Sequence, residues 1–297
     1  MEHVGKCLIN FQERVKKMFE EKKRKVEELR KIKPAARICK DCGSEIEPYI
    51  DENHFVWKAE NECRICQENE VKKQQQEEKE KRISNLLNES GLCGKLLKMT
   101  FNNFERSKCL DTYKIAKQYA EDFSPGITKG LIFQGRAGSG KTSLVAAIAH
   151  EIIEQKMIPI RFIEAFDLLL NIRKAYSTKT CEELDLIEKF SKCQLLVIDD
   201  LGTEKNTDWV QQIFYKIIND RYKLELPTII TTNLTLEELE KRLDERVTSR
   251  IVEMCKLVKM PDINYRLSYQ KSKSKLVQLR IENNLDNSQS GEKRVVS

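Results

Sequence analysis

The stretch GRAGSGKT occupies residues 135–142 and fits the pattern G-x4-G-K-[ST]. It follows an apolar run typical of a strand, LIFQG at 131–135, and opens a run with helical periodicity, TSLVAAIAHEII at 142–153. Glycines at such a turn let backbone N–H groups approach phosphate oxygens closely, and the N-terminus of the helix adds a favourable field. The stretch therefore predicts a phosphate-binding loop over 135–142, the phosphate loop.

Two side chains of the phosphate loop carry its expected chemistry. Lys141 is expected to lie on the β- and γ-phosphates of a nucleoside triphosphate, and the Thr142 hydroxyl on Mg²⁺. An ordinary glycine-rich turn is the alternative, but a chance match is on the order of one in a few hundred before the strand–loop–helix context is required. The residues expected to bind the nucleotide are Gly135, Arg136, Ala137, Gly138, Ser139, Gly140, Lys141, Thr142 and Ser143.

Two acids close a second apolar run, LLVIDD at 195–200, about 60 residues after the phosphate loop. Asp199 ends the predicted strand and is expected to hold Mg²⁺ through water. Asp200 stands where a carboxylate could orient the water that attacks the γ-phosphate. Glu204 is a second, less favoured candidate for that role.

A third apolar run, TIITTN at 228–233, ends in Asn233. The ends of parallel strands line the ligand crevice of an α/β sheet, so Asn233 is a candidate to contact the γ-phosphate or its attacking water. An asparagine that only starts a turn is the plain alternative, and it is favoured when the residue is taken alone.

Strand and helix patterns alternate from about residue 96 onward. This alternation predicts an α/β fold with a mostly parallel sheet covered by helices on both faces. Thr235 is expected to cap the last helical pattern, with Glu238 at the capping-box position. The predicted strands are 131–135, 158–163, 194–199 and 227–233, and the predicted helices are 142–153, two within 164–191, 208–223 and LEELEKRL after Thr235.

The part of the chain before the α/β pattern has a different sequence pattern, without alternating strands and helices. Apolar spacing predicts an amphipathic helix from residue 8 to about 33, which Pro34 ends. The charged stretch 69–87 is either an exposed helix or a flexible linker, and a linker helix is preferred. The expected domains are 1–95, a helix with a cysteine module and a linker; 96–270, the α/β core; and 271–297, a flexible tail.

Two cysteine pairs form a module within the first domain. Cys39-x2-Cys42 and Cys63-x2-Cys66 are separated by twenty residues. Two tight turns of this kind make a closed tetrahedral Zn²⁺ site, because four thiolates leave no open coordination position. The predicted role is structural, with metal binding supplying folding free energy to a module too short to bury much core.

Composition limits the classes of protein. The chain has 297 residues, 34% of them charged, and a net charge of +6, a basic balance too small to argue for a nucleic-acid partner. A run of about 18 apolar residues, which a membrane helix needs, does not occur. The first residues lack the features of a signal peptide. With ten cysteines, the chain is expected to be cytoplasmic and its thiols reduced.

Four motifs in this order, GRAGSGKT, VIDDLGTE, TTNL and ERVTSRIVEM, resemble those of the AAA+ ATPases. More narrowly, they resemble the DnaC/DnaI-type replicative helicase loaders and the related IstB-type transposition helper ATPases. The resemblance runs from about Thr100 to Arg266. It implies an AAA+ core with a reduced lid, behind a helical and zinc-ribbon-like N-terminal module.

The resemblance also implies roles for residues. Hydrolysis of ATP would be slow or dependent on a partner, because Asp200 stands where most AAA+ enzymes have glutamate. Arg250 would act as an arginine finger on the γ-phosphate held by the neighbouring subunit, with Arg246 as second candidate. Arg266 would contact phosphate within its own chain.

Partners follow from the same resemblance. The N-terminal zinc module would dock on a hexameric replicative DNA helicase, which the chain would deliver to single-stranded DNA. Subunits would associate through an ATP-bridged interface, and no membrane is involved. A transposition helper that binds duplex DNA is the alternative, ranked lower because such helpers generally lack the zinc module. A small-molecule kinase and a zinc-dependent adaptor rank below both.

Two further features have two interpretations each. Phe101 and Phe104 either approach the adenine or are plain core residues. The group Arg173, Lys174 and Tyr176 either contacts single-stranded DNA or forms a solvated helix face, which is favoured on sequence alone.

Overall fold

The computed structural model describes residues 2–51, 53–58, 60–107, 109–177 and 182–265. They divide into two compact units, and the boundary along the chain falls between Glu80 and Lys81, within one helix. The expected tail at 271–297, Arg266 and Cys181 lie outside the described residues. Among the described helices, none is long and apolar enough to cross a membrane.

The first unit consists of one long helix, two short antiparallel hairpins and the greater part of a second long helix. The predicted N-terminal helix is present over Glu2–Arg30, so it begins before the predicted residue 8 and ends ahead of Lys33, the residue in which Pro34 disfavours helical geometry. Trp57 Nε1 donates to the Leu29 carbonyl oxygen at 2.9 Å and so satisfies a carbonyl of its last turn. The elements are α1 (Glu2–Arg30), β1 (Arg37–Ile38), β2 (Glu45–Ile46), β3 (Tyr49–Asp51), β4 (Val56–Lys58) and α2 (Arg64–Ser90).

The charged stretch 69–87 lies within α2, as the preferred reading had it. Ion pairs four residues apart support this exposed helix, among them Arg64 with Glu68 and Lys73 with Glu77.

The second unit is an α/β domain built on five parallel strands. Their order is β6-β7-β8-β5-β9. After a 3₁₀ turn (Leu96–Lys98), its elements are α3 (Leu110–Asp122), β5 (Gly130–Gln134), α4 (Lys141–Lys156), β6 (Ile160–Glu164), α5 (Ala165–Ser177), α6 (Glu182–Lys192), β7 (Leu195–Asp199), α7 (Asp208–Lys223), β8 (Thr228–Thr232), α8 (Leu236–Leu243), α9 (Glu245–Met254) and β9 (Cys255–Lys259).

The sheet separates two hydrophobic cores. Side chains of a strand alternate between faces, so Val197 packs with α3 and α4 while Ile198 packs with α5, α7, α8 and α9. Both faces are covered, and β7 and β8 are buried at every position. The predicted α/β architecture is therefore confirmed, as is the capping box of Thr235 and Glu238.

Three of the α-helices and strands of the second unit, α3, α9 and β9, were not predicted. α3 precedes the sheet, and β9 follows α9 without a loop and pairs in parallel with β5. Because β9 is an edge strand with exposed Lys256 and Lys259, its sequence has no continuous apolar run.

The strand order matters for the site. β7, β8 and β5 are neighbours, and parallel strands end at the same edge of the sheet. The phosphate loop after β5, the acids at the end of β7 and Asn233 after β8 are thereby brought side by side.

Candidate functional site

The phosphate loop connects β5 to α4 and requires glycine at two positions. Gly138 and Gly140 have φ values of +80° and +93°, which residues with a Cβ rarely adopt. A Cβ on Gly138 would also lie 2.5 Å from Asn264 Oδ1. The Tyr265 N–H donates to the Gly138 carbonyl oxygen at 2.9 Å, so the loop is backed by the residues that follow β9.

The interior of the loop has polar groups suited to an anion. The Ser139 hydroxyl is buried and has no hydrogen-bond partner in the described part of the chain. Such an orphaned group is costly unless a ligand or water completes it. Gly140 caps α4, whose first N–H groups have no partner within the helix. These groups fit a bound phosphate.

Lys141 is buried at the first position of α4. Its ammonium donates to the carbonyl oxygens of Gly135 at 2.6 Å and Arg136 at 3.1 Å, and to Asn233 Oδ1 at 2.6 Å. The only cation of the loop that is buried thus points back into the cradle where the phosphates of a nucleotide are expected. The remaining predicted loop residues, Ala137 and Ser143, lie in the loop and in the first turn of α4.

Asp199 faces the start of α4. One of its carboxylate oxygens, Oδ1, accepts hydrogen bonds from Thr142 Oγ1 at 3.0 Å and from Thr231 Oγ1 at 2.6 Å. Burial raises the pKa of Asp199, and the two hydroxyl donors partly offset that rise. A carboxylate and a hydroxyl are the oxygen ligands that Mg²⁺ prefers, so the pair fits a magnesium ion.

Asn233 joins the lysine to the second acid. Its Nδ2 donates to Asp200 Oδ1 at 2.6 Å while its Oδ1 accepts from Lys141. Asp200 itself has a left-handed backbone, with φ of +55°. The structure therefore brings together five of the residues for which chemistry was predicted: Lys141, Thr142, Asp199, Asp200 and Asn233.

Glu204, the alternative to Asp200, makes a different contact. Its Oε2 accepts from the Gly202 N–H at 3.0 Å, and its buried Oε1 has no partner among the described residues. Burial raises the pKa of Glu204. Its carboxylate stabilises the turn after β7, whereas Asp200 belongs to the hydrogen-bonded chain with Lys141.

Thr231 is a site residue that the sequence interpretation missed. Its hydroxyl donates to Asp199 and also accepts from the Asp200 N–H at 2.9 Å. A signal was available: β8 is fully buried yet contains three threonines, and a buried hydroxyl needs a partner.

The two aromatic candidates have different surroundings. Phe101 is buried and packs edge-on against Tyr113, with ring centroids 5.4 Å apart. Phe104 stacks on Tyr113 and lies beside the loop, 3.6 Å from where a Cβ on Gly140 would be. Arg136 pairs with Asp262 at 3.0 Å on the exposed side of the loop.

Arg250 lies on α9 and makes no hydrogen bond or ion pair with the phosphate loop in the described ranges. Its guanidinium donates to the Arg246 carbonyl oxygen and stacks on tyrosines of α7. On α5, Arg173 stacks on Trp209 at 4.9 Å, and the side chain of Tyr176 lies outside the described residues.

The four paired cysteines come together in the first unit. All four sulfurs lie within 4.8 Å of one another. The Cys63 N–H donates to Cys39 Sγ at 3.3 Å, and backbone donors of this kind lower the pKa of Cys39. Tetrahedral Zn–S bonds of about 2.3 Å imply sulfurs about 3.8 Å apart, so the donor set fits zinc.

Comparison with known proteins agrees with these features. The replicative helicase loader DnaC of Escherichia coli (strain K12) is 28% identical over 180 residues, 60% of this chain and 72% of that protein. DnaC of Buchnera aphidicola subsp. Acyrthosiphon pisum (strain APS) is 28% identical over 204 residues, 68% and 80% of the two chains. The crystal structure of the DnaC helicase loader, also 28% identical, superposes with a TM-score of 0.52 over 57% of this chain and 99% of that one.

The family model described as IstB-like ATP binding protein matches residues 55–274, which is most of the chain. The predicted AAA+-type core is confirmed by the DnaC structure. This chain belongs to the family of IstB-like ATP-binding proteins.

Proposed function

We propose that this chain is a slow ATPase that docks on a replicative DNA helicase and delivers it to single-stranded DNA in the cytoplasm. The observation that carries the ATPase part is the hydrogen-bonded chain Lys141–Asn233–Asp200 beside the Thr142–Asp199 pair. The similarity to proteins named replicative helicase loaders supports the rest.

Each residue has a distinct task in this proposal. ATP with Mg²⁺ would supply the reacting γ-phosphate and a divalent charge to neutralise it. Lys141 would neutralise phosphate charge, and Thr142 with Asp199 would hold the metal side of the cradle. Asn233 would fix the Asp200 carboxylate so that its free oxygen can accept a hydrogen bond from the attacking water.

Two further elements belong to the proposal. Arg250 would complete the site of a neighbouring subunit, and Arg266 would contact phosphate within the chain. The four cysteines would hold Zn²⁺ and shape the N-terminal unit that docks on the helicase.

A second candidate function is a transposition helper that binds duplex DNA. The name of the matching family favours it, while the cysteine module and the DnaC relatives favour the loader.

The deciding experiment measures the mass of the complex that the full chain forms with the replicative helicase of its host. Light scattering after gel filtration would be run without nucleotide and with ATP, and a Lys141→Ala variant would serve as control. A defined complex supports the loader. Tight binding to duplex DNA together with no helicase complex in either condition would establish the transposition helper instead.

A further inference from the structure

One face of the second unit presents cations over aromatic rings. On α9, Val247 and Ile251 are buried in the core, whereas Arg246 and Arg250 lie four residues apart toward solvent. On α7, Tyr215 and Tyr222 are seven residues apart and therefore share one side of that helix. Both rings are half-buried.

Both guanidinium groups contact the same ring. The Cζ atom of Arg246 lies 5.3 Å from the centroid of Tyr215, and that of Arg250 lies 4.9 Å from it. Arg250 is also 5.9 Å from the ring of Tyr222. The Tyr222 hydroxyl donates to Glu253 Oε1 at 2.8 Å, which fixes the second ring.

The two arginines differ in whether an acidic side chain forms an ion pair with the guanidinium. Arg246 forms an ion pair with Asp244 at 3.0 Å. Arg250 forms no ion pair within the described ranges; its one hydrogen bond is donated to the Arg246 carbonyl oxygen at 3.1 Å. The tyrosine rings therefore orient the Arg250 guanidinium without neutralising it.

A ring holds a guanidinium less strongly than a phosphate does, because hydrogen bonds between two charged groups are the strong ones. A planar guanidinium also has several donors left when one of its edges is used. Arg250 is thus held in a defined direction and stays available to an anion.

We infer that Tyr215 is a positioning residue, which presents the Arg250 guanidinium to the terminal phosphate of a nucleotide held by a second copy of the chain. The inference rests on the proposed function, since it takes Arg250 as the group that acts across subunits. The inference adds that Tyr215 orients Arg250. It also adds that the face formed by α7 and α9 contacts the nucleotide of the second copy.

The experiment measures ATP turnover per chain as the concentration of the full chain rises at saturating ATP and Mg²⁺. If an arginine of a neighbouring copy completes the site, turnover per chain increases with the concentration of the chain. Arg250→Ala should abolish this increase. The Lys141→Ala variant keeps Arg250 but lacks the phosphate-loop cation. Mixing the Arg250→Ala and Lys141→Ala variants should therefore restore part of the increase.

Tyr215→Leu should lower the concentration-dependent turnover about five- to tenfold, as expected for loss of a cation–π contact, and Tyr215→Phe should stay near wild type. The affinity for ATP should be unchanged in both. In an Arg250→Ala background, Tyr215→Leu should cause no further loss. If Tyr215→Leu does not fold, Tyr215→Met removes the ring with a flexible apolar side chain.

The outcomes distinguish a failure of the role assigned to Arg250 from a failure of the role assigned to Tyr215. Wild-type turnover in Arg250→Ala would reject Arg250 as the acting group, and the inference with it. Impaired Arg250→Ala with wild-type Tyr215→Leu would overturn the inference alone. An added loss in the double variant would also overturn it, because Tyr215 would then act elsewhere.

Discussion

The Thr231 hydroxyl donates to the Asp199 carboxylate over 2.6 Å, from β8 to its neighbour β7. The same oxygen accepts from the Asp200 N–H at 2.9 Å, where the backbone is left-handed. One buried hydroxyl therefore orients the first acid by its side chain and the second by its backbone. Loss of the hydroxyl disturbs both acids without touching the phosphate loop.

Thr231→Val should slow ATP hydrolysis at least tenfold and raise the Mg²⁺ concentration needed for half-maximal turnover, with ATP affinity little changed. The substitution leaves the Asp200 N–H unpaired, and a buried unpaired donor costs about 1–3 kcal/mol. Steady-state phosphate release at several Mg²⁺ concentrations measures the change in hydrolysis, and a thermal melt measures the cost of the unpaired N–H.

Two variants control for this result. Thr231→Ser keeps the hydroxyl and should stay near wild type. Thr112→Val removes another buried hydroxyl, which donates from α3 to the carbonyl oxygen of its N-cap residue Cys109, and should leave hydrolysis unchanged. Equal turnover in Thr231→Val and Thr231→Ser would mean that the hydroxyl does not orient the acids.

Asp200→Asn and Glu204→Gln separate the two candidates for the acid that orients water. Asp200 is held by Asn233 within the chain that includes Lys141, whereas Glu204 accepts from the turn at Gly202. We expect Asp200→Asn to abolish measurable turnover and Glu204→Gln to retain most of it, with ATP binding intact in both. The reverse order of activities would transfer the role to Glu204.

Glu204→Gln should also raise thermal stability at neutral pH. Burial raises the pKa of Glu204, so the folded chain keeps a proton that the unfolded chain releases, and stability falls as pH rises through that window. The gain in melting temperature should therefore be largest at pH 7–8 and vanish below the ordinary glutamate value of about 4.3. About 1 kcal/mol corresponds to roughly 2–4 °C for a domain of this size.

Glu237→Gln provides the control of opposite sign. A backbone N–H and the Thr235 hydroxyl lower the pKa of Glu237, so its contribution is present at neutral pH and lost in acid. This variant should melt below wild type at pH 7 and approach it as the pH falls. A Glu204→Gln variant less stable than wild type at pH 7 would show that the Gly202 hydrogen bond outweighs the cost of burying the charge.

The full chain should contain one zinc ion, and Cys63→Ser should lose it. Chelation should expose residues 39–66 to protease, because metal binding supplies the folding free energy of such a module, while ATP binding is retained. Metal content by atomic absorption and limited proteolysis measure the two effects. Cys93→Ser changes an exposed cysteine outside the cluster and should keep the metal. Full zinc content in Cys63→Ser would reject the four-cysteine site.

Much of the fold could be predicted from local pattern. The strands β5 to β8 are apolar runs, their flanking helices have helical periodicity, and α7 and α8 begin at the capping residues Thr207 and Thr235. The order of the strands could not be predicted, because it depends on pairing between distant segments. β9 was missed for a related reason: only its contact with β5 makes a strand of a sequence with two exposed lysines.

The site residues likewise differ in whether local sequence or distant contacts determine their roles. Lys141, Thr142 and Asp199 follow from motif spacing, since a phosphate loop and an acid after a strand have fixed geometry. The role of Thr231 depends on the register that places Ile198 beside Ile230, and so the next residues, Asp199 and Thr231, beside each other. The contact of Arg250 with Tyr215, 35 positions earlier, depends on how α7 and α9 pack.

The hydrogen bond from the Tyr265 N–H to the Gly138 carbonyl oxygen ties the end of the described chain to the phosphate loop. Tyr265 is thereby held against the loop that is expected to bind phosphate. Coupling between two sites is reciprocal. A ligand that displaced Tyr265 on binding would therefore alter the phosphate loop, and a phosphate bound in the loop would alter the affinity for that ligand by the same factor.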